Sequence, residues 1–377
     1  MKNNRTFLEK LLDGAEVEWK PLDEVANIVN NARKPVKSSL RVSGNIPYYG
    51  ANNIQDYVEG YTHEGEFVLI AEDGSASLEN YSIQWAVGKF WANNHVHVVN
   101  GKEKLNNRFL YHYLTNMNFI PFLAGKERAK LTKAKLQQIP IPIPPPSVQT
   151  EIVKILDALT ALTSELTSEL ILRQKQYEYY REKLLSEEEL GKVGFEWRAL
   201  KDILIRTKGT KITAAEMKVL HKENAPLKIF AGGKTFALVN YSDIPEKDIN
   251  KNPSIIVKSR GIIEFEYYDK PFSHKNEMWS YYSNDKNINI KYIYYVLKNQ
   301  EPYFQSLGSK MQMPQIAIPD TDKYLVPIPP PYIQTEIVKV LDKFVNLTNS
   351  ISEGLPLAIE QSQKRYEYYK ELLLSFS

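Results

Sequence analysis

The chain contains no cysteine, which excludes disulfides, thiolate zinc sites and cysteine nucleophiles and makes a reducing cytoplasm the expected compartment. No stretch approaches the roughly 18 apolar residues of a membrane span, and the opening MKNNRTFLEKLL lacks a signal peptide's apolar run. Charge imbalance is scarce too: 48 basic against 45 acidic side chains leave +3, too little to name a nucleic-acid partner by itself. The six histidines show no metal-ligand spacing; His95 and His97 merely flank Val96, as on a strand. What remains is a 377-residue chain, long enough for two or three domains, with 43% hydrophobic residues and an unusual 24 tyrosines.

The sequence repeats itself. IPIPPPSVQTEIVKILD from Ile141 returns as VPIPPPYIQTEIVKVLD from Val326, an offset of 326 − 141 = 185. YEYYREKLLS from Tyr177 returns as YEYYKELLLS from Tyr366, an offset of 366 − 177 = 189. EWKPLDEV at Glu18 is echoed by EWRALKDI at Glu196. The order also closes as a ring, because LEKLLDGAEVEW near the start resembles the passage that follows the first YEYY block, and ELLLSFS stops where that passage would begin. This predicts a pseudo-twofold protein with neighbouring termini. Between the blocks, residues from about 20 to 140 and from about 198 to 325 share only faint echoes. PYYGAN at Pro47 faces KIFAGG at Lys228, and RFLYHYL at Arg108 faces KYIYYVL at Lys291. One scaffold presenting two specificities fits that contrast.

After Pro144, Pro145 and Pro146, no glycine or proline follows until Gly191. Val148, Ile152, Ile155, Leu159, Leu162 and Leu166 alternate steps of four and three, a coiled-coil seam. Ile333, Ile337, Val340, Phe344, Leu347 and Ile351 repeat it, with a break expected at Gly354 and Pro356. Each stripe is expected to be buried against the other copy, antiparallel. LTSELTSEL from Leu162 holds a tandem four-residue unit, worth ~6 Å of helix per copy, a candidate ruler between two DNA-reading heads. In the YEYY blocks, Tyr177, Tyr180 and Arg181, with Tyr366, Tyr369 and Lys370, are candidates for docking partner subunits.

DNA contact is expected from loops of the variable regions. In the first these offer Asn52, Asn53, Asp73, Ser75 and Trp91, and WANNHV adds Asn93, Asn94 and His95. Asparagine can pair bidentately with adenine, although Asn and Gly also simply build turns. GKERAKLTKAK carries Lys126, Arg128, Lys130, Lys133 and Lys135 against one acid, a natural phosphate clamp. In the second region the candidates are Gly232 and Lys234 in a turn, Lys258 and Arg260, Lys275, and Lys310, Gln312 and Gln315.

No enzyme motif survives inspection. PPPY at Pro329 resembles the [DN]PP[YF] of adenine methyltransferases, but proline stands where the catalytic Asn or Asp would be, and the other copy reads PPPS. Pro319 and Asp320 lack the (D/E)xK of a nuclease, and AGGK is too short for a P-loop.

Taken together, the two IPxPPxxxQxEIVxxLD blocks, the two YEYY blocks, the EW-initiated halves and the tandem resemble the specificity subunit of type I restriction–modification systems. The tandem is similar to the TAEL repeat of the IC subfamily, with TSEL in its place. The resemblance implies two mixed α/β target recognition domains separated by two long antiparallel coiled-coil helices. The expected segments are 1–146 and 191–331 for recognition, with 147–190 and 332–377 as helical spacers. It further implies a non-catalytic chain without cofactor that reads a bipartite, asymmetric site on double-stranded DNA. Two modification subunits would use S-adenosylmethionine to methylate adenine, and restriction subunits would use ATP and Mg. A methylation-only or phage-defence system, or a coiled-coil scaffold without DNA readout, are the alternatives.

Overall fold

The computed structural model describes residues 7–125, 129–308, 314–350 and 353–376. The chain divides into two compact units, one of Met1–Thr167 with Ala358–Ser377, the other of Ser168–Leu357. No helix among the described residues is long and apolar enough to cross a membrane.

The first unit is built on a six-stranded sheet. Its order is Ala26–Ile28, Val96–Gly101, His63–Ala71, Ile83–Ala92, Ser43–Gly50 and Asn53–Val58. All neighbours are antiparallel except Ser43–Gly50 beside Ile83–Ala92. The helix Asn107–Thr115, capped by the Asn106 side chain, buries Phe109, Leu110 and Leu114 in the main core.

The second unit has the same plan with one strand cut in two. A four-stranded sheet runs Ile205–Thr207, Trp279–Tyr282, Ser254–Lys258, Glu264–Tyr268, and a three-stranded one Phe236–Val239, Leu227–Phe230, Phe272–His274. Glu264–Tyr268 and Phe272–His274 together occupy the place of the single strand Ile83–Ala92. Between them stands Pro271, which has no amide to offer a ladder. The first unit passes the same point with Gly88 at φ +78°, a bend that needs no cut.

What frames each sheet is nearly identical. The EW segments pair with the proline blocks as two-stranded ladders, Glu18–Pro21 with Pro140–Ile143 and Glu196–Ala199 with Leu325–Ile328. The Gln149 amide donates to Lys104 O and Pro144 O and accepts from Asn106 N; Gln334 does the same with Asn287 O, Pro329 O and Asn289 N. Asp157 accepts from Arg108 and His112, and Asp342 from Lys291 and Tyr295. The RFLYHYL and KYIYYVL segments are therefore the same helix in two copies.

Pro146–Leu184 forms one helix of 39 residues, whereas its counterpart is two, Pro331–Asn349 and Leu355–Leu374. The expected seam needs correction. Val148, Gln149, Ile152 and Leu156 are the buried positions, Ile155 and Leu159 are half-buried, and Leu162 is exposed. The first turns pack on the first unit's own core, so their stripe follows the 3.6-residue turn of a straight helix and not a heptad. Farther along, Thr163 Oγ1 meets the buried Ser362 Oγ of Leu355–Leu374 at 2.8 Å.

The ring closure is physical. In the second unit Leu184, Leu185 and Leu190 enter the core along continuous chain. In the first, the matching side chains come from two separate stretches, Leu373, Leu374 and Phe376 meeting Leu8, Leu11 and Leu12 in one cluster.

Candidate nucleic-acid interface

In the first unit, the hairpin between His63–Ala71 and Ile83–Ala92 turns at Asp73 and Gly74, the glycine at φ +73°. Asp73 accepts from His95 Nδ1 at 2.5 Å. Glu72 N donates to His95 O, Leu131 N donates to Glu72 O, and Asp73 pairs with Lys130 in a β-bridge. The Asn52 amide donates to Gly74 O and accepts from Ala76 N, each at 2.7 Å. Asn52, Asp73, Ser75, Asn93, His95 and Lys130 thus gather around one hairpin tip.

Several of these groups are committed to holding the tip. Asn93 is buried and its Oδ1 accepts from His95 N; the Ser75 hydroxyl donates to Ser77 O and accepts from Ser82 N. Lys130 pairs with Glu72 at 2.9 Å, as does Arg33 at 2.7 Å. Asn53 and Asn94 are exposed beside the tip, and Lys133 and Lys135 on the short helix Lys133–Gln137. Trp91 lies apart, its indole donating to Lys34 O in a small cleft of about 270 Å³ shared with Arg41 and Tyr48. Lys126 and Arg128 lie outside the described residues.

In the second unit Gly232, Arg260 and Lys275 line one open cleft of about 730 Å³ with Lys218, His221, Phe236 and Glu277. Gln315 joins them through its bridge to Arg260, and Lys234 is exposed nearby in sequence. Lys310 and Gln312 lie outside the described residues. Lys258 is a correction: it is buried and paired with Glu264 at 3.0 Å and Glu266 at 2.8 Å. Burial works against its ammonium, yet the two carboxylates hold its pKa above the ordinary lysine value. It is not a phosphate ligand. Glu277, Lys218 and His221 escaped sequence reasoning, because nothing in a lone acid or a helix lysine marks a cleft wall.

The two sites are built by the same backbone bonds. Asn93 N donates to Tyr49 O, and Lys275 N to Phe230 O. Leu131 N donates to Glu72 O, and Ile316 N to Ser259 O. Asp73 bridges Lys130, and Arg260 bridges Gln315.

One buried group near the first tip makes folding pH-dependent. His97 is wholly buried, contacting Asn30 and Leu131 O, and burial pushes its pKa below the ordinary 6.5. The folded state therefore holds it neutral while the unfolded chain takes up a proton near pH 6.5. Its contribution is present above that pH and is lost as pH falls through the lower folded value. His63, His112 and His274 are shifted the same way by burial. Thermal melting from pH 7.5 to 5 is expected to show Tm falling once pH drops below about 6.5; a flat Tm over that range would contradict this.

The family model described as the type I restriction modification DNA specificity domain matches residues 15–173 and again 192–361. The chain belongs to that family. It is 62% identical, over the whole length of both chains, to a putative type I restriction enzyme specificity subunit of Haemophilus influenzae. It is 31% identical to a type I restriction enzyme specificity subunit of Escherichia coli, over 98% of this chain and 97% of that one. Its fold is similar to that of the S subunit from M. genitalium, with a TM-score of 0.68, 14% identity, and coverage of 100% and 98%. Each match of the family domain takes in the sheet or sheets of one unit and one proline block, the repeat seen in the sequence.

Tyr177 and Tyr366 are half-buried in their own units, stacked under Arg181 and Lys370; burial raises both phenols, Tyr366 to about 12. Arg181 donates to Asn299, and Tyr369 packs edge-on to Phe7. Tyr180 is 40% exposed but stacks on Phe344. The most open rings of the two blocks are Tyr179 and Tyr368, at 56% and 60%.

Proposed function

We propose that this specificity subunit reads the two halves of a bipartite, asymmetric site on double-stranded DNA, one half per unit. It performs no chemistry itself and needs no cofactor. Two modification subunits, carrying S-adenosylmethionine, methylate adenines within the site, and restriction subunits, using ATP and Mg, cleave DNA. The observation that carries this reading is one frame, repeated bond for bond around Gln149 and Gln334, that supports two hairpin tips with different side chains. Tyr179 and Tyr368, with Tyr180, are the surface offered to the modification subunits, since aromatic rings left open on a helix suit a protein interface.

The test exchanges residues 20–140 for those of another family member and reads methylated adenines across a genome. One half-site is expected to change completely while the other and the spacer stay. An unchanged site, or a change in both halves, would refute the assignment of one half-site to each unit.

A further inference from the structure

The two hairpin tips correspond residue by residue. Glu72–Asp73–Gly74 matches Ser259–Arg260–Gly261, both glycines lying in the left-handed region at φ +73° and +75°. Facing each tip is a residue just before the strand that pairs on the far side of the tip strand, His95 ahead of Val96–Gly101 and Glu277 two residues ahead of Trp279–Tyr282. Glu72 N donates to His95 O in one unit, and Ser259 Oγ donates to Glu277 O in the other. His95 and Glu277 are therefore equivalent, as the ladder confirms: Ile70 pairs with His97, and Val257 with Trp279. The polarity of the pair is inverted. The first unit sets a carboxylate on the tip against an imidazole, and the second sets a guanidinium on the tip against a carboxylate.

A purely structural role would favour keeping the chemistry, as the frame does at Gln149 and Gln334. Instead both partners of the pair have changed while the backbone bonds that hold them persist. Arg260 is exposed and, among the described residues, its side chain makes no hydrogen bond or ion pair. Glu277 pairs with Lys275 at 2.7 Å. Burial opposes its ionisation, yet Lys275, with the nearby Arg260 charge, keeps its carboxyl below the usual range. The turn residue itself is thus an acid in one unit, Asp73, and a base in the other, Arg260.

Resting on the bipartite reading above, we infer that the tip residue of each hairpin reads one base in the major groove, with opposite hydrogen-bond polarity. Asp73, an acceptor oriented by His95, takes the exocyclic amino group of cytosine or adenine in the first half-site. Arg260, a forked donor beside Glu277, takes the O6 and N7 of guanine in the second. The halves of the site therefore differ because one conserved turn carries an acid in one unit and a base in the other.

The experiment uses the chain assembled with its modification subunits, and measures base preference position by position on a randomised DNA library. Arg260→Ala is expected to erase the guanine preference at one position of the second half-site, by about tenfold or more, and leave the first half-site intact. Arg260→Lys is expected to restore part of it, since lysine also contacts guanine. Asp73→Ala is expected to relax one position of the first half-site only. The untouched half-site in each variant reports that the chain is folded. Uniform weakening at all positions with a shallower salt dependence would mark these residues as phosphate contacts and overturn the inference. Unchanged preferences would overturn it too, while leaving the bipartite reading standing. A wild-type complex that protects no gapped site would overturn both.

Discussion

Replacing Gln149 with alanine is expected to destabilise the first unit by about 3 kcal/mol, and Gln334→Ala the second by about as much. Both side chains are fully buried. Each satisfies three backbone groups from three stretches of chain: the loop before the helix Asn107–Thr115 or its counterpart Ile290–Asn299, that helix's own cap, and the proline block. Truncation leaves an amide and two carbonyls without partners in a place water enters poorly, and each such group costs roughly 1–3 kcal/mol. Methionine separates this cause from simple loss of packing. It fills the space of glutamine but forms none of the bonds, so Gln149→Met is expected to be nearly as damaging as alanine. Urea unfolding with hydrogen exchange would localise each loss to its unit. A methionine variant close to wild type would mean that packing and not bonding matters here, and an alanine cost under about 1 kcal/mol that neither does.

Gly209→Ala is expected to cost about 2–3 kcal/mol and to abolish reading of the second half-site while sparing the first. An added Cβ would lie 2.3 Å from His274 O and 2.4 Å from Lys275 O. Neither carbonyl can retreat easily, because Thr210 N donates to His274 O at 2.8 Å and Met278 N donates to Lys275 O at 3.0 Å. The strain would shift the segment that carries Lys275 and Glu277 into the cleft. The first unit makes the matching bond from Lys34 N to Ala92 O, with Arg33 where Gly209 stands. There the chain runs wide enough for a guanidinium that pairs with Glu72. Footprints of the variant complex that keep both half-sites would show that the segment absorbs the clash.

The frame was legible in the sequence because the same residues do the same work twice. Gln149 and Gln334, Asp157 and Asp342, and the EW and proline blocks keep both identity and role. The faint echo of PYYGAN in KIFAGG also marks a true equivalence, since Tyr48 beside Trp91 corresponds to Ile229 beside Ser273. The site was less legible, for a physical reason. A recognition surface is conserved in backbone bonding, which any residue supplies, and varied in side chains, which are all a sequence shows. Lys258 was misread because its partners Glu264 and Glu266 lie across a hairpin, on the same face of the neighbouring strand. The half-burial of the Tyr177 and Tyr366 rings is hidden from sequence in a similar way. Helical spacing shows that they share a face, but not that the face is turned to their own core.

The interruption at Pro271 alters how the second unit comes apart. In the first unit one continuous ladder couples Ala26–Ile28 at one edge to Asn53–Val58 at the other, so its amides should exchange with solvent as a single cooperative block. In the second, the three-stranded sheet has its own small core of Ile212, Met217, Leu227, Ile229, Ala237 and Val239. Among the described residues, no strand ladder joins it to the four-stranded sheet. Amides of Leu227–Phe230 and Phe236–Val239 are therefore expected to exchange sooner than those of Ser254–Lys258. Gly232, at the turn between them, is then expected to belong to the part of the cleft that opens first.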